Sequence, residues 1–218
     1  MRNEFVQRII SSILIAPLSF FVILKGSILF NFFIISCFII SFYEWNLMVQ
    51  KINHKILGVI FLIFSFFAFY DLRNSENDES VIYIFYVIII CIFTDIGGYT
   101  FGKFLKGPKI TKLSPNKTYS GVLGSYFLAF LFSLIFFEVD YFFNKINLEI
   151  TIDINYFFIF FISSVSQLGD LFISYFKRTY KIKDTGIILP GHGGLLDRID
   201  GMIFAIPASY IIYIFNYY

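Results

Sequence analysis

Asp170, Asp184, Asp197 and Asp200 alternate with Lys177, Arg178, Lys181, Lys183 and Arg198 near the carboxyl end of the chain, and Gly191, Gly193 and Gly194 break the run. Lys and Arg attract phosphate, closely spaced carboxylates attract a hard divalent cation, and glycines let backbone N–H groups approach an oxyanion. Together they suit a site for magnesium and a polyphosphate. Asp197 and Asp200 stand three apart, about one turn on one face of a helix, where they can share or flank a metal. A basic cytoplasmic loop would account for the cations alone. It accounts for neither the acids nor the glycines.

Upstream, Ser163, Gln167, Asp170, Ser174, Lys177 and Arg178 recur at helical spacing and fall within an arc of roughly 100°. One face of an otherwise apolar helix is therefore hydrophilic. A carboxylate at membrane depth is costly, so Asp170 reads as functional, with an ion pair to Lys177 as the structural alternative. Ser163 reads as a packing device. Asp95 follows another apolar run and is expected to face the protein interior or a water-filled cavity. Lys117 and Thr118, between Pro115 and Gly121, offer either a second phosphate contact or a plain basic interface loop. His192, between two glycines, serves equally to order the loop or to move protons.

The elements that must position these groups cross a membrane. Of the 218 residues, 58% are hydrophobic and 22% aromatic, which excludes an ordinary soluble domain. A net charge of +2 is no sign of nucleic acid binding, because the charges are segregated. Cys37 and Cys91 sit in separate apolar runs and read as small hydrophobes. The expected fold is an all-α polytopic bundle of about seven transmembrane helices, six to nine being the range. The apolar runs are Ile9 to Leu24, Ile28 to Tyr43, Ile56 to Tyr70, Val81 into Asp95, Val122 to Phe137, Tyr156 to Phe176 and Met202 to Tyr217. Lys25 to Ser27 reads as a tight reversal, Glu44 and Trp45 as interface residues, Lys51 to Lys55 as a polar loop and Asp71 to Ser80 as an acidic one. With the amino terminus in the cytoplasm, the outside segments keep only Lys25, Arg73 and Lys145 of the 17 Lys and Arg residues. That asymmetry supports this orientation and puts loops 103–120 and 177–200 on the cytoplasmic side. The chain divides into N-terminal helices over 1–80 and a catalytic membrane region over 81–218.

The run SVSQLGDLFISYFKR from Ser164 to Arg178, KD at Lys183–Asp184 and LPGHGGLLDRID from Leu189 to Asp200 resemble the signature of the phosphatidate cytidylyltransferases, or CDP-diacylglycerol synthases. DIGGYTFGK from Asp95 to Lys103 and SPNKTYSG from Ser114 to Gly121 are similar to its upstream pieces. Ile96 and Gly98 depart from the pattern, which commonly has a hydroxyl residue and Ala there. The resemblance runs from about Thr94 to Gly201 and does not reach the first ninety or so residues.

It implies an enzyme that transfers CMP from CTP to phosphatidate, giving CDP-diacylglycerol and pyrophosphate. Asp170, Lys177, Asp197, Arg198 and Asp200 would be catalytic, with Asp170, Asp197 and Asp200 holding magnesium and a second cation such as potassium nearby. Asp95, Lys117, Thr118, Gln167, Ser174, Arg178, Lys183, His192, Gly193 and Gly194 would bind substrates. The resemblance also implies a homodimer in a bacterial inner membrane, its active site facing the cytoplasm. A CTP-dependent polyprenol-type lipid kinase is the rival within enzymes. An ion or phosphate transporter using Asp95 and Asp170 is the rival outside them.

Overall fold

Long runs of Phe, Ile and Leu become helices here because, in hydrocarbon, every backbone N–H and C=O must be satisfied within its own segment. The computed structural model describes residues 15–75, 80–111, 117–144, 156–188 and 193–217. In chain order the helices are α1 (Ile15–Lys25), α2 (Ser27–Met48), α3 (Ile52–Asn74), α4 (Ser80–Leu105), α5 (Tyr119–Asn144), α6 (Tyr156–Thr179), the short α7 (Leu196–Ile199) and α8 (Met202–Tyr217). Among the described residues the architecture is all-helical, and the one extended pairing is an isolated antiparallel bridge between Lys109 and Thr118.

Among the described residues five helices, α2 to α6, are long and apolar enough to cross a membrane, and they contain five of the expected spans. The first and last expected spans correspond to shorter apolar helices, α1 and α8. The reversal at Lys25 to Ser27 is present, but the polar loop expected at Lys51 to Lys55 is not: α3 begins at Ile52, and Lys51 serves as its cap. Helix α3 also continues through Asp71 to Asn74.

The chain runs back and forth, so the carboxyl ends of α2, α4 and α6 meet the amino ends of α3, α5 and α8. Contacts bear this out at each end of the bundle. At one end, His54 Nδ1 in α3 lies 2.9 Å from the Tyr180 hydroxyl that follows α6. At the other, Arg73 donates to the Ile23 and Leu24 carbonyls, which the end of α1 leaves without helical partners. There too the Tyr210 hydroxyl of α8 donates to Asp71 of α3, and Tyr83 of α4 donates to the Ser209 carbonyl.

Two local devices hold the helices in contact. Gly97 of α4 abuts the backbone of Gly124 in α5, so closely that a Cβ there would collide with the Gly124 carbonyl. Small residues at a membrane helix interface allow this approach. In α8, Pro207 lacks the N–H that would bond the Ile203 carbonyl, and the Ser65 hydroxyl of α3 donates to that carbonyl instead, at 2.5 Å.

Glu44 and Trp45, at the carboxyl end of α2, are turned into the protein rather than outward. They are 1% and 3% exposed. The indole donates to the Lys55 carbonyl and packs edge-on against Phe176 of α6, ring centroids 5.1 Å apart.

Candidate active site

The polar face of α6 is real, and each group on it meets a different element. Deepest in the bundle, Ser163 accepts a hydrogen bond from Thr94 of α4 at 2.8 Å, and Gln167 Nε2 donates to Ser163 at 3.4 Å. Ser163 is thus a packing hydroxyl, as its place in the helix led us to expect.

One turn on, Asp170 is held from two sides. Lys117 Nζ lies 2.5 Å from its Oδ2, and Ser174 donates to its Oδ1 at 3.3 Å. Lys117 also donates to the Gln167 carbonyl at 3.3 Å, so the loop before α5 is pinned onto α6. That loop is tied at its base: Ile110 N–H donates to the Lys117 carbonyl, and Tyr119 N–H to the Pro108 carbonyl. Thr118 is buried and accepts the Gly121 N–H at 3.1 Å, an N-cap for α5. Its hydroxyl is thereby engaged in the protein's own backbone. Lys112 and Pro115 lie outside the described residues.

Next along α6, Lys177 pairs with Asp197 rather than with Asp170, Nζ to Oδ1 2.8 Å. The other Asp197 oxygen accepts the N–H groups of Thr185, at 2.8 Å, and Gly194, at 3.1 Å. The Gly194 N–H, expected at a phosphate, therefore meets the protein's own carboxylate. Gly193 adopts φ 88°, a left-handed conformation that favours glycine, and this turns the chain into α7. Arg178, at the edge of the polar arc, is exposed and donates to the Ile182 carbonyl at 3.4 Å. Lys183, Asp184 and Arg198 are exposed. His192 and Pro190 lie outside the described residues.

Asp197 and Asp200 do fall within one turn, in α7 and just after it, but they face different company. Asp200 Oδ1 accepts the Gly201 N–H at 2.9 Å. Burial pushes the Asp200 carboxyl well above the ordinary carboxylate range, and the nearby charges of Asp170 and Asp95 add to this while Lys177 opposes it. Asp95 of α4 is exposed and lies near enough to Asp170, Asp200 and Lys117 to feel their charges. Among the described residues no three Asp, Glu, His or Cys side chains are gathered as a ligand set, so Asp170, Asp197 and Asp200 do not converge on one point. Carboxylate oxygens are the hard donors that magnesium prefers, and the desolvated Asp200 carboxyl, which feels the charges of Asp170 and Asp95, is where a divalent cation would relieve negative charge.

Glu44 was not anticipated as part of this end of the molecule. Its carboxylate accepts the N–H groups of Leu195, at 2.9 Å, and Leu196, at 2.8 Å, and the Thr185 hydroxyl at 3.3 Å. The sequence did hold a signal, since an acid at the end of an apolar run is the pattern that marked Asp95.

A bundle of apolar helices that gathers carboxylates and ammonium groups at one end belongs to the integral membrane proteins, equipped to handle a charged substrate beside the bilayer. The family model described as the cytidylyltransferase family matches residues 52–215, which begins well before the motif resemblance does. The chain belongs to this family. It is 36% identical over 216 residues to a phosphatidate cytidylyltransferase of Rickettsia felis, covering 94% of this chain and 90% of that protein. A phosphatidate cytidylyltransferase of Rickettsia typhi is 36% identical over 219 residues, 95% of this chain and 91% of that one. One from Staphylococcus aureus is 40% identical over 129 residues, 58% of this chain and 46% of that protein.

Proposed function

We propose that this chain transfers CMP from CTP to phosphatidate, releasing pyrophosphate and leaving CDP-diacylglycerol. The observation that carries this reading is the pair of ammonium groups, Lys117 and Lys177, each seated on a carboxylate along one polar face of a membrane helix. A phosphate oxygen of phosphatidate attacks the α-phosphorus of CTP while the bond to the pyrophosphate oxygen breaks, so no protein nucleophile is required. Two anions must be brought together, and nucleotidyl transfer is accelerated chiefly by positioning and charge stabilisation.

Asp170 and Asp200, with Asp95 beside them and Asp197 one turn before Asp200, are the groups that would hold magnesium. Bound there, the cation would neutralise phosphate oxygens in the transition state. Lys117 and Lys177 neutralise charge on the triphosphate or the lipid phosphate, and Arg178, Lys183 and Arg198 attract both substrates from the surface. The hydrophilic face of α6 lets a lipid headgroup reach this end while its acyl chains stay in hydrocarbon.

The finer parts of the proposal are a second cation such as potassium, a homodimer, and an inner-membrane setting with the site in the cytoplasm. The charge asymmetry of the loops supports the last of these. We assign catalysis to 81–218, with the described helices before it in support.

The test is incubation of the purified protein with phosphatidate, labelled CTP and magnesium. CDP-diacylglycerol and pyrophosphate are expected. Release of CDP with a newly phosphorylated lipid would make the protein a kinase, and flux in proteoliposomes without lipid turnover would make it a transporter.

A further inference from the structure

Glu44 lies in α2, outside the span matched by the family, yet its buried carboxylate reaches the Thr185 hydroxyl before the glycine-rich stretch and the backbone at Leu195 and Leu196 after it. Oε1 takes the Leu195 N–H, and Oε2 takes the Leu196 N–H and the Thr185 hydroxyl. Those two N–H groups stand at the start of α7, where no helical carbonyl is available to them. Hydrogen bonds from N–H to an ionised carboxylate are about twice as strong as neutral ones. The loop is shaped around the acid: a Cβ at Gly186 would sit 2.6 Å from Oε1, and one at Gly194 2.7 Å from Oε2.

Asp197 draws on the same two stretches of backbone. It accepts from the N–H of Thr185 and of Gly194. Thr185 thus gives its N–H to Asp197 and its hydroxyl to Glu44, and Gly194 adjoins the Leu195 N–H that Glu44 holds. Through Asp197 the chain of contacts ends on Lys177.

We infer that Glu44 is a positioning residue for the transfer reaction, fixing Asp197 and hence Lys177 by holding the Thr185 hydroxyl and the backbone N–H groups of Leu195 and Leu196. The inference rests on the function proposed above. Its cost is the burial of an acid, which only such a set of hydrogen bonds offsets.

Glu44→Gln keeps the volume but turns one acceptor into a donor facing an N–H. By hydrogen exchange and mass spectrometry, peptides containing 194–196 should lose protection relative to wild type. In the same preparation kcat should fall roughly 10- to 100-fold, and the magnesium concentration for half-maximal rate should rise, while KM for CTP moves less. In an Asp197→Asn background the same change should cost less than about threefold more, because the two act as one unit. Glu44→Asp, which keeps the charge and retracts it by one methylene, should show the same pattern in smaller measure; it carries the test if Glu44→Gln does not accumulate in membranes.

Unchanged exchange would show that Glu44 does not hold the loop. Loosened exchange with wild-type kcat and magnesium dependence would reduce it to a structural brace and overturn the inference. A wild-type chain that forms no CDP-diacylglycerol would bring down the proposed function and the positioning role together, whereas unchanged exchange in an active protein would sink the clamp alone.

Discussion

Lys177 and Asp197 form a nearly buried ion pair, Nζ to Oδ1 2.8 Å, with side chains 12% and 6% exposed. The pair joins the last turn of α6 to α7, so the groups nearest the proposed chemistry also hold two elements together.

Asp197→Asn keeps the volume, removes the counter-charge of Lys177 and weakens the acceptor for two N–H groups. Breaking one partner of a buried pair costs about 3–5 kcal/mol. Magnesium-dependent CDP-diacylglycerol formation in membrane extracts should fall at least about tenfold per molecule of protein, measured against immunoblotted protein level. Near wild-type turnover would take Asp197 out of the site.

Lys117→Met retains most of the apolar stem and removes the ammonium from Asp170. If Lys117 neutralises substrate phosphate, kcat/KM for CTP should drop by at least about tenfold, with the protein still extractable and folded. Steady-state kinetics in detergent would check this, and unchanged kinetics would leave Lys117 as a loop anchor only.

The Asp200 carboxyl is held above its ordinary value of 3.8, first by burial and then by Asp170. The metal-free folded protein therefore binds more protons than the unfolded chain between that value and the raised one, and its stability falls as pH rises through this window. If magnesium occupies the site as proposed, it would bind the ionised form and reverse the trend. Melting temperature in detergent should decline from about pH 4 upward without magnesium. The recovery on adding magnesium should grow with pH, and a flat profile in both conditions would count against Asp200 as a cation-binding group.

Ser65→Ala removes the hydroxyl that serves the Ile203 carbonyl freed by Pro207. A buried acceptor left unpaired costs about 1–3 kcal/mol. Thermal inactivation should come at lower temperature, while kcat measured well below the transition stays at the wild-type value. Equal stability would show that the carbonyl finds another donor.

Helical spacing and composition made the apolar helices and the polar face of α6 legible, because both are periodic features of one segment. Which cation meets which acid was not legible. Lys117 and Lys177 are equivalent as point charges along a sequence, and only the docking of the α4–α5 loop and of α7 onto α6 assigns Lys117 to Asp170 and Lys177 to Asp197. The same docking explains why the glycine-rich turn, read as a cradle for phosphate, spends Gly194 N–H on Asp197. Glu44 was hidden by its neighbour: an acid beside a Trp at the end of an apolar run looks like an interface anchor, and its partners are 141 to 152 positions away. The start of α3 was misread because Lys51 and Lys55 mark polarity, which a helix end tolerates as well as a loop does.

The distance between Glu44 and its partners bears on how the protein is made. A chain synthesised from its amino end delivers α2 to the membrane 151 positions before Leu195 leaves the ribosome. Until then the acid has none of the donors that later surround it, and the nascent chain must shelter it in water or in the translocation machinery. Truncated translation products, lacking the final segment, would retain that exposed carboxylate and offer cellular proteases a mark by which to clear them.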